Sequence, residues 1–405
     1  MDVEVRPIAP EEFEAFVRAT VASFGATYRA EELERNRIEF EPGLSIAAFE
    51  GADMVGTTGG LSFDLTVPGS TLPSLAVTGV GVIPTHRRRG ALRALMRRQL
   101  DDARQAGTPL SILWASEGGI YPRFGYGLSA LHAELDVDTR YSRFGIPFAP
   151  EGRMRLLSEE EALKVFPDVY ERVRERQPGF LSRTPDWWSY VFWIPARRRG
   201  ELSENIFALY EEDGPQGYVV YRTKHDWPGG LPGGTLEIEE LVSATDDAYA
   251  ALWRYCFDHD LMTRVKAERR PSFEPLLHIL EEPRALGLRL ADALWLRVLD
   301  VSAALESRRY RSSGSLVFEL EDPFCPWNEG RYELDASPDG ASCRTTRARP
   351  DLVMSAVELG AIYLGGVSAW ELVRAGRIDE ERTDAAVEAD SLLAWTPPPW
   401  CMHRF

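Results

Sequence analysis

VTGVGVIPTHRRRGALRALMRR, Val77 to Arg98, sets a β-rich run, a basic loop and a helix in direct succession. The β-branched positions before Pro84 suit a strand. From about Gly90 the spacing of Leu92, Leu95, Met96 and Leu100 gives a helix with one apolar face, ended by Gly107. Its start is unusual, because Arg87, Arg88 and Arg89 crowd the positive end of the helix dipole, where a cation is disfavoured by about 0.3–1 kcal/mol. An anionic ligand reverses that cost. A pyrophosphate needs backbone N–H donors and positive potential, and a helix N-terminus supplies both. Gly90 lets the backbone approach phosphates with no Cβ in the way. The first helical residues Ala91 and Leu92 continue the N–H array, and Arg88, Arg89 and Arg93 can add charge-assisted contacts, a 3′-phosphate among the targets. The edge Val80-Gly81-Val82 can hydrogen-bond an extended pantetheine as a further strand. The stretch outlines a coenzyme A site; a solvated basic helix start or a weak nucleic-acid patch is the alternative.

The rest of the composition bounds the reading. A chain of 405 residues exceeds one ordinary core and predicts two or three domains. A hydrophobic fraction of 44% with 27% charged residues is that of a soluble globular protein. The opening MDVEVRPIAPEEF is acidic and has no apolar core of a secretion signal. Runs such as LGAIYLGGVSAW (Leu359 to Trp370) fall short of the roughly 18–20 residues of a membrane span, so the expectation is a cytoplasmic protein with no membrane partner. Cys256, Cys325, Cys343 and Cys401 lie far apart, and the six histidines form no ligand pattern, so no metal is expected. A net charge of −17 argues against nucleic acid as a partner and would draw in a cationic substrate.

Outward from the basic loop, Phe13, Phe16, Val17, Val21 and Phe24 predict an amphipathic helix, and a second, polar helix is expected over Ala30 to Phe40. Leu44–Glu50 reads as a strand, MVGTTGGLSFDLTVPG as a strand pair, and Leu110–Ser116 as a buried strand entering the turn EGGIYPRFGYG. Helices, antiparallel strands, then strand–helix–strand make an α/β arrangement. Pro and Gly cluster at Phe144–Gly152, a boundary. A second segment follows a similar plan: a helix over Glu159–Arg176, strands in IFALYEE, GYVVYRTK and TLEIEELVSA, and the helix DDAYAALWRYCFDHD, with no basic loop between the last two. A third runs from LWLRVLDVSAALESRRY through strands GSLVFELED, GRYELDA and GASCRTT to a helical DLVMSAVELGAIYLGG and two shorter helices, an α+β plan. The division is 1–146, 147–290 and 291–405.

Acyl transfer from a coenzyme A thioester needs a proton donor to the departing thiolate and support for the developing oxyanion. The turn SEGGIYPRFGYG offers two donors, Tyr121 at the start of a short helix and Tyr126, which is better suited to core packing. Ser116 and Glu117 close the preceding strand, Ser116 being also a possible helix cap.

V-x-x-x-x-R-R-x-G after a strand resembles motif A of the GNAT superfamily, Q/R-x-x-G-x-G/A. Arg87 and Gly90 fit it, while Leu92 stands at the final Gly/Ala position. THRRRGALR (Thr85 to Arg93) followed by SEGGIYPRFGYG is similar to the Eis (enhanced intracellular survival) acetyltransferases, and the likeness extends along the chain to the terminal phenylalanine. The resemblance implies tandem GNAT-like domains followed by a sterol-carrier-protein-like C-terminal domain, the second GNAT-like domain lacking the cofactor loop. It implies acetyl-CoA as co-substrate, Tyr121 as general acid, Ser116 and Glu117 as cofactor contacts, and the α-carboxylate of Phe405 as general base. His403 is a rival base that titrates near neutrality, and Arg404 stands where an acidic residue is expected. It further implies a homohexamer (a dimer of trimers) that acetylates primary amines of polycationic small molecules such as aminoglycosides. Protein or peptide lysine acetylation is the alternative within enzymes, and a CoA- or lipid-sensing binding protein the alternative outside them.

Overall fold

The computed structural model describes residues 3–195 and 200–405, so the first two residues of the acidic opening lie outside the described residues. The chain divides into two compact units. The first holds the residues up to Ala130 together with Asp292–Pro399 and His403–Phe405; the second holds Leu131–Ala291 and Trp400–Met402.

In the first unit, consecutive strands Glu4–Pro7, Ile46–Glu50, Asp53–Val67 and Ser70–Val82 lie side by side and antiparallel. Strand Leu110–Trp114 then pairs parallel to Ser70–Val82, and the helix Ala91–Gln105 makes the crossover. The far side of Leu110–Trp114 is taken by Leu294–Val298, antiparallel. The crossover helix buries Leu95, Met96 and Leu100, each worth roughly 1.5–3 kcal/mol of apolar burial. Its buried Gln99 is locked by two hydrogen bonds, donating to the Gly59 carbonyl at 2.9 Å and accepting from Thr58 Oγ1 at 2.6 Å. Residues from Gly314 to Glu380 build a second, five-stranded sheet, flanked by helices Val301–Ser307, Ala356–Ile362 and Ala385–Leu393.

The second unit carries strands Arg153–Leu157, Ile206–Glu211, Pro215–Lys224, Gly234–Ser243 and Met262–Pro271. The last two are parallel across the helix Asp246–Phe257. That helix is capped by Thr245, whose side chain accepts from Ala248 N, and has Asp246 and Asp247 in its first turn. Its N-terminal N–H groups are thus served by the chain's own side chains. A buried Arg183–Glu240 pair, doubly hydrogen-bonded at 2.9 Å and joined by Tyr218 at 2.5 Å, fixes the strands below it.

Three expected elements differ. Ala30–Phe40 is broken into short turns, 3-10 at Ala30–Glu32 and Arg37–Glu39 around a single helical turn Leu33–Asn36, and none of these buries a residue. The segment's apolar contacts are confined to Leu33 and Phe40, too few along one face to hold a longer helix. MVGTTGGLSFDLTV belongs to one strand, Asp53–Val67, rather than two. Its glycines serve close packing, since a Cβ on Gly59 would lie 2.5 Å from the Phe40 ring and one on Gly60 2.8 Å from Leu75. DLVMSAVELGAIYLGG begins as the strand Leu352–Ser355, with Leu352 and Met354 buried in alternation, and Ser355 then caps the helix with Glu358 in a capping box. Strands Gly127–Asp138 and Met262–Pro271 and helix Pro185–Phe192 are further elements.

One contact ties the first helix, Phe13–Ser23, to the end of strand Ser70–Val82. A Cβ on Gly81 would sit 1.8 Å from Ser23 Oγ and 2.5 Å from its Cβ. Gly81→Ala is expected to cost about 1–3 kcal/mol by overpacking, read as a lower melting temperature, and Ser23→Gly in the same chain should recover most of the loss. A Gly81→Ala protein as stable as the wild type would show that the helix does not bear on this strand.

Candidate active site

The site begins where two parallel strands part. Ser70–Val82 and Leu110–Trp114 are in register from Ser74↔Leu110 to Val77↔Leu113, and the pairing ends there. On its other side Ser70–Val82 stays paired to Val82↔Gly56, but with a bulge: Gly79 and Val80 together face Thr58. Gly79 sits at φ 57°, a left-handed conformation that favours glycine. The bulge is held in place by Thr57, whose hydroxyl donates to the Gly79 carbonyl at 3.0 Å and is itself met by Thr20 Oγ1 at 3.0 Å. Val80 and Val82 are half-buried on the parted edge. Gly81 turns its Cα hydrogens toward Ser23, so its small size serves helix packing, and its backbone is what it can offer a ligand.

Beyond Val82 the chain turns through Pro84–His86 into the basic loop. Arg87, though exposed, is engaged in the fold: its guanidinium donates to the carbonyls of Ser23 at 2.7 Å and Val82 at 3.2 Å, strapping the loop to the parted strand. Arg88 stands at φ 62°, rare for a residue with a side chain, and Gly90 at φ 93° is the N-cap of helix Ala91–Gln105. Among the described residues no side chain caps this helix, and its first turn holds no acid. The N–H groups there are left for an outside acceptor. Arg88, Arg89 and Gly90 are exposed, and a Cβ at Gly90 would meet nothing within 4 Å; glycine is required there for its φ. Ala91 is buried and Leu92 packs into the core behind, so each can offer only its N–H. Arg93 and Arg97 lie over the ring of Phe324, at 5.1 and 4.4 Å.

Strand Leu110–Trp114 ends at the same edge and runs into the turn. Ser116 and Glu117 are exposed. Ser116 does not cap the following 3-10 helix Tyr121–Phe124, whose N-cap is Ile120. Instead it lies close enough to Tyr121 to act on its hydroxyl. Tyr121 keeps 5% of its surface exposed, and burial pushes its hydroxyl up to about 12, with the Ser116 contact opposing. Tyr126 is sealed in the core with its hydroxyl 2.7 Å from Ser111 Oγ, and burial drives its pKa well above the ordinary tyrosine value. The two rings meet edge to face at 6.1 Å. Of the two, Tyr121 is the tyrosine that can reach a ligand.

The C-terminus reaches the same strands. Trp114 Nε1 donates to the His403 carbonyl at 2.9 Å, one residue past the last paired position, Leu113. The rings of His403 and Phe405 lie 5.1 and 5.9 Å from Phe63, on the long strand Asp53–Val67. His403 is buried; Arg404 is exposed. Trp114, Phe63 and Thr57 were not singled out from the sequence. An indole at the end of a buried strand carries no signal of its own, and the partner of Trp114 lies 289 residues away.

The arrangement fits acetyl-CoA on three counts: an open strand edge for an extended amide chain, an uncapped helix N-terminus for its pyrophosphate, and the exposed Arg88 and Arg89 beside it. Among the described residues no group of three or more His, Cys, Asp or Glu could hold a metal ion, and no helix is long and apolar enough to cross a membrane.

Comparison with known proteins bears on the domains of the chain. A family model described as an acetyltransferase (GNAT) domain matches residues 4–129, another of the same description matches 179–298, and a sterol carrier protein domain matches 301–402. An uncharacterized N-acetyltransferase of Streptomyces avermitilis is 41% identical over the whole of both chains. The N-acetyltransferase Eis of Mycobacterium tuberculosis is 35% identical over 84% of each chain. The crystal structure of Eis1 from Mycobacterium abscessus matches with a TM-score of 0.88 at 30% identity, over 99% of this chain and all of the other. GNAT domains use acetyl-CoA, and likeness of this extent in sequence, domain order and fold makes the chain a member of the Eis family of GNAT N-acetyltransferases.

Proposed function

We propose that the protein moves the acetyl group of acetyl-CoA directly to a primary amine of a polycationic small molecule, with aminoglycosides as representatives. The observation that carries the reading is convergence. The buried Tyr121 lies in the turn that leaves strand Leu110–Trp114 where its partner strand has parted, and at that same end the Trp114 indole donates to the carbonyl of His403, two residues before Phe405. Bound acetyl-CoA would supply an activated acetyl group and a thiolate leaving group.

In this reading Val80–Val82 hold the pantetheine through backbone hydrogen bonds, while Arg88, Arg89, Gly90, Ala91, Leu92 and Arg93 form the phosphate cradle. Ser116 and Glu117 line the mouth beside Tyr121. A hydroxyl raised to about 12 stays protonated through the neutral and alkaline range, which suits a donor to a departing thiolate. The Phe405 carboxylate takes the amine proton, directly or through water, and attracts a cationic acceptor. The net charge of −17 supports such an acceptor. The segment 291–405 then serves as the scaffold that delivers this carboxylate, the segment 147–290 has given up its cofactor loop, and the chain works as a cytoplasmic homohexamer.

Tyr121→Phe is expected to lower kcat by about 10²–10⁴-fold, the usual contribution of a general acid, with acetyl-CoA binding retained by calorimetry. Full turnover in that variant would remove Tyr121 from the mechanism. Coenzyme A release measured with a panel of aminoglycosides should likewise collapse when Arg404 and Phe405 are deleted, binding again retained. Equal turnover in both chains would move the proton acceptor to His403 or water. Turnover with lysine peptides and none with aminoglycosides would make this a protein acetyltransferase, and tight acetyl-CoA binding with no turnover on either would make it a sensor.

A further inference from the structure

The turn that carries Tyr121 is gripped from below by a buried charge pair, which no feature of the cofactor loop requires. Arg297, on the strand Arg289–Val298, has no exposed surface and donates from Nη1 to the carbonyl of Phe124, the last residue of the 3-10 helix Tyr121–Phe124. Its Nη2 is held by both carboxylate oxygens of Asp322, at 2.7 and 2.5 Å. Asp322 is 1% exposed and is itself fixed, accepting from Cys325 N at 2.9 Å and from Asn328 Nδ2 at 3.3 Å. Gly125 follows the turn at φ 80°, and a Cβ there would fall 1.4 Å from Arg297 Nη1, so the turn and the guanidinium are built to one another's shape.

Asp322 opens the segment Asp322–Asn328, DPFCPWN, and this segment meets the cofactor helix as well. Phe324 packs edge to face on Phe124 at 5.0 Å, while Arg93 and Arg97 of helix Ala91–Gln105 lie over its other side. Trp327 receives Arg104 of the same helix at 4.6 Å and donates its indole N–H to the Leu299 carbonyl at 3.0 Å. A single loop thus spans from the helix that would hold the phosphates to the turn that would donate the proton.

A buried ion pair is weak as a stabilising device, because desolvating two charges offsets most of their attraction, and apolar groups of the same volume often do as well. Its value lies in direction. Asp322 holds Nη2 with both of its oxygens while Nη1 donates to the Phe124 carbonyl, so the guanidinium is anchored at two nitrogens, one of them on the turn. The pair is neutral overall, so the turn receives a strong donor with no net charge placed next to the reaction.

We propose that Arg297, oriented by Asp322, is a positioning residue for Tyr121, and that the loop Asp322–Asn328 sets the distance between the Tyr121 turn and the cofactor helix. The proposal rests on Tyr121 acting as proton donor. Misplacement of a reacting group by about 1 Å can cost on the order of a hundredfold in rate. Asp322→Asn keeps the shape and removes the charge, and Arg297→Lys keeps the charge and removes the fork.

Both variants should lower kcat with acetyl-CoA and an amine acceptor by about 10–100-fold, leave KM for acetyl-CoA within about twofold, and add no further loss when combined with Tyr121→Phe. Circular dichroism and thermal melts report the folded fraction, to which kcat is normalised. If Asp322→Asn does not fold, Arg297→Lys is read by the same criteria. An unchanged kcat per folded molecule, with Tyr121→Phe inactive, overturns the positioning role, as does a rate loss that multiplies with that of Tyr121→Phe. A fully active Tyr121→Phe instead overturns the reading of Tyr121 on which the proposal depends.

Discussion

Everything at the site follows from two parallel strands that stop pairing. Neighbouring strands in a sheet satisfy one another's backbone groups, and breaking a ladder inside a protein leaves donors and acceptors that need partners. Past Val77↔Leu113 the chain makes that break and maintains it. The Gly79 bulge twists one strand away, Thr57 holds the bulge carbonyl, and Arg87 straps the departing loop through Val82 and Ser23. On the other strand, Trp114 ties the chain's last residues beside the opening. An edge kept open by this many specific contacts is a place for an extended ligand.

The helix start beside it obeys the same logic. Six of the eleven α-helices among the described residues arrange their own N-termini: Ser158, Thr184, Thr245, Asp300, Ser355 and Ser368 each accept a backbone N–H. Helix Ala91–Gln105 instead begins at a left-handed glycine with arginines around it. The contrast with the helix Asp246–Phe257, which occupies the matching place in the second unit, is instructive. There Thr245 and two aspartates complete the terminus, and the anion site is chemically closed.

Much of this was legible in the sequence. The strand, the basic loop and the helix could be read from Val77 to Gly107 because each has a local signal: β-branched residues, a misplaced cluster of cations, and apolar positions three and four apart. Tyr121 could be preferred to Tyr126 by its place in the turn. What escaped was non-local. Gly59 and Gly60 take their meaning from Phe40 and Leu75 pressing on them, and Ala30–Phe40 has helix-forming residues but buries little beyond Phe40 at its end. Arg297 and Asp322 are ordinary letters on separate elements, and their meaning appears only when the fold brings both to the Phe124 carbonyl. Trp114 is the same case, its partner being at the far end of the chain.

The central claim is that the parted edge and the uncapped helix receive acetyl-CoA. Amide hydrogen exchange, measured on the intact protein with and without saturating acetyl-CoA, tests it most directly. The account predicts that exchange slows in peptides covering Val80–Val82 and Gly90–Arg93, while peptides covering the capped start of helix Asp246–Phe257 are unaffected. Protection confined to other segments, or none at Val80–Val82 under saturating ligand, would contradict it.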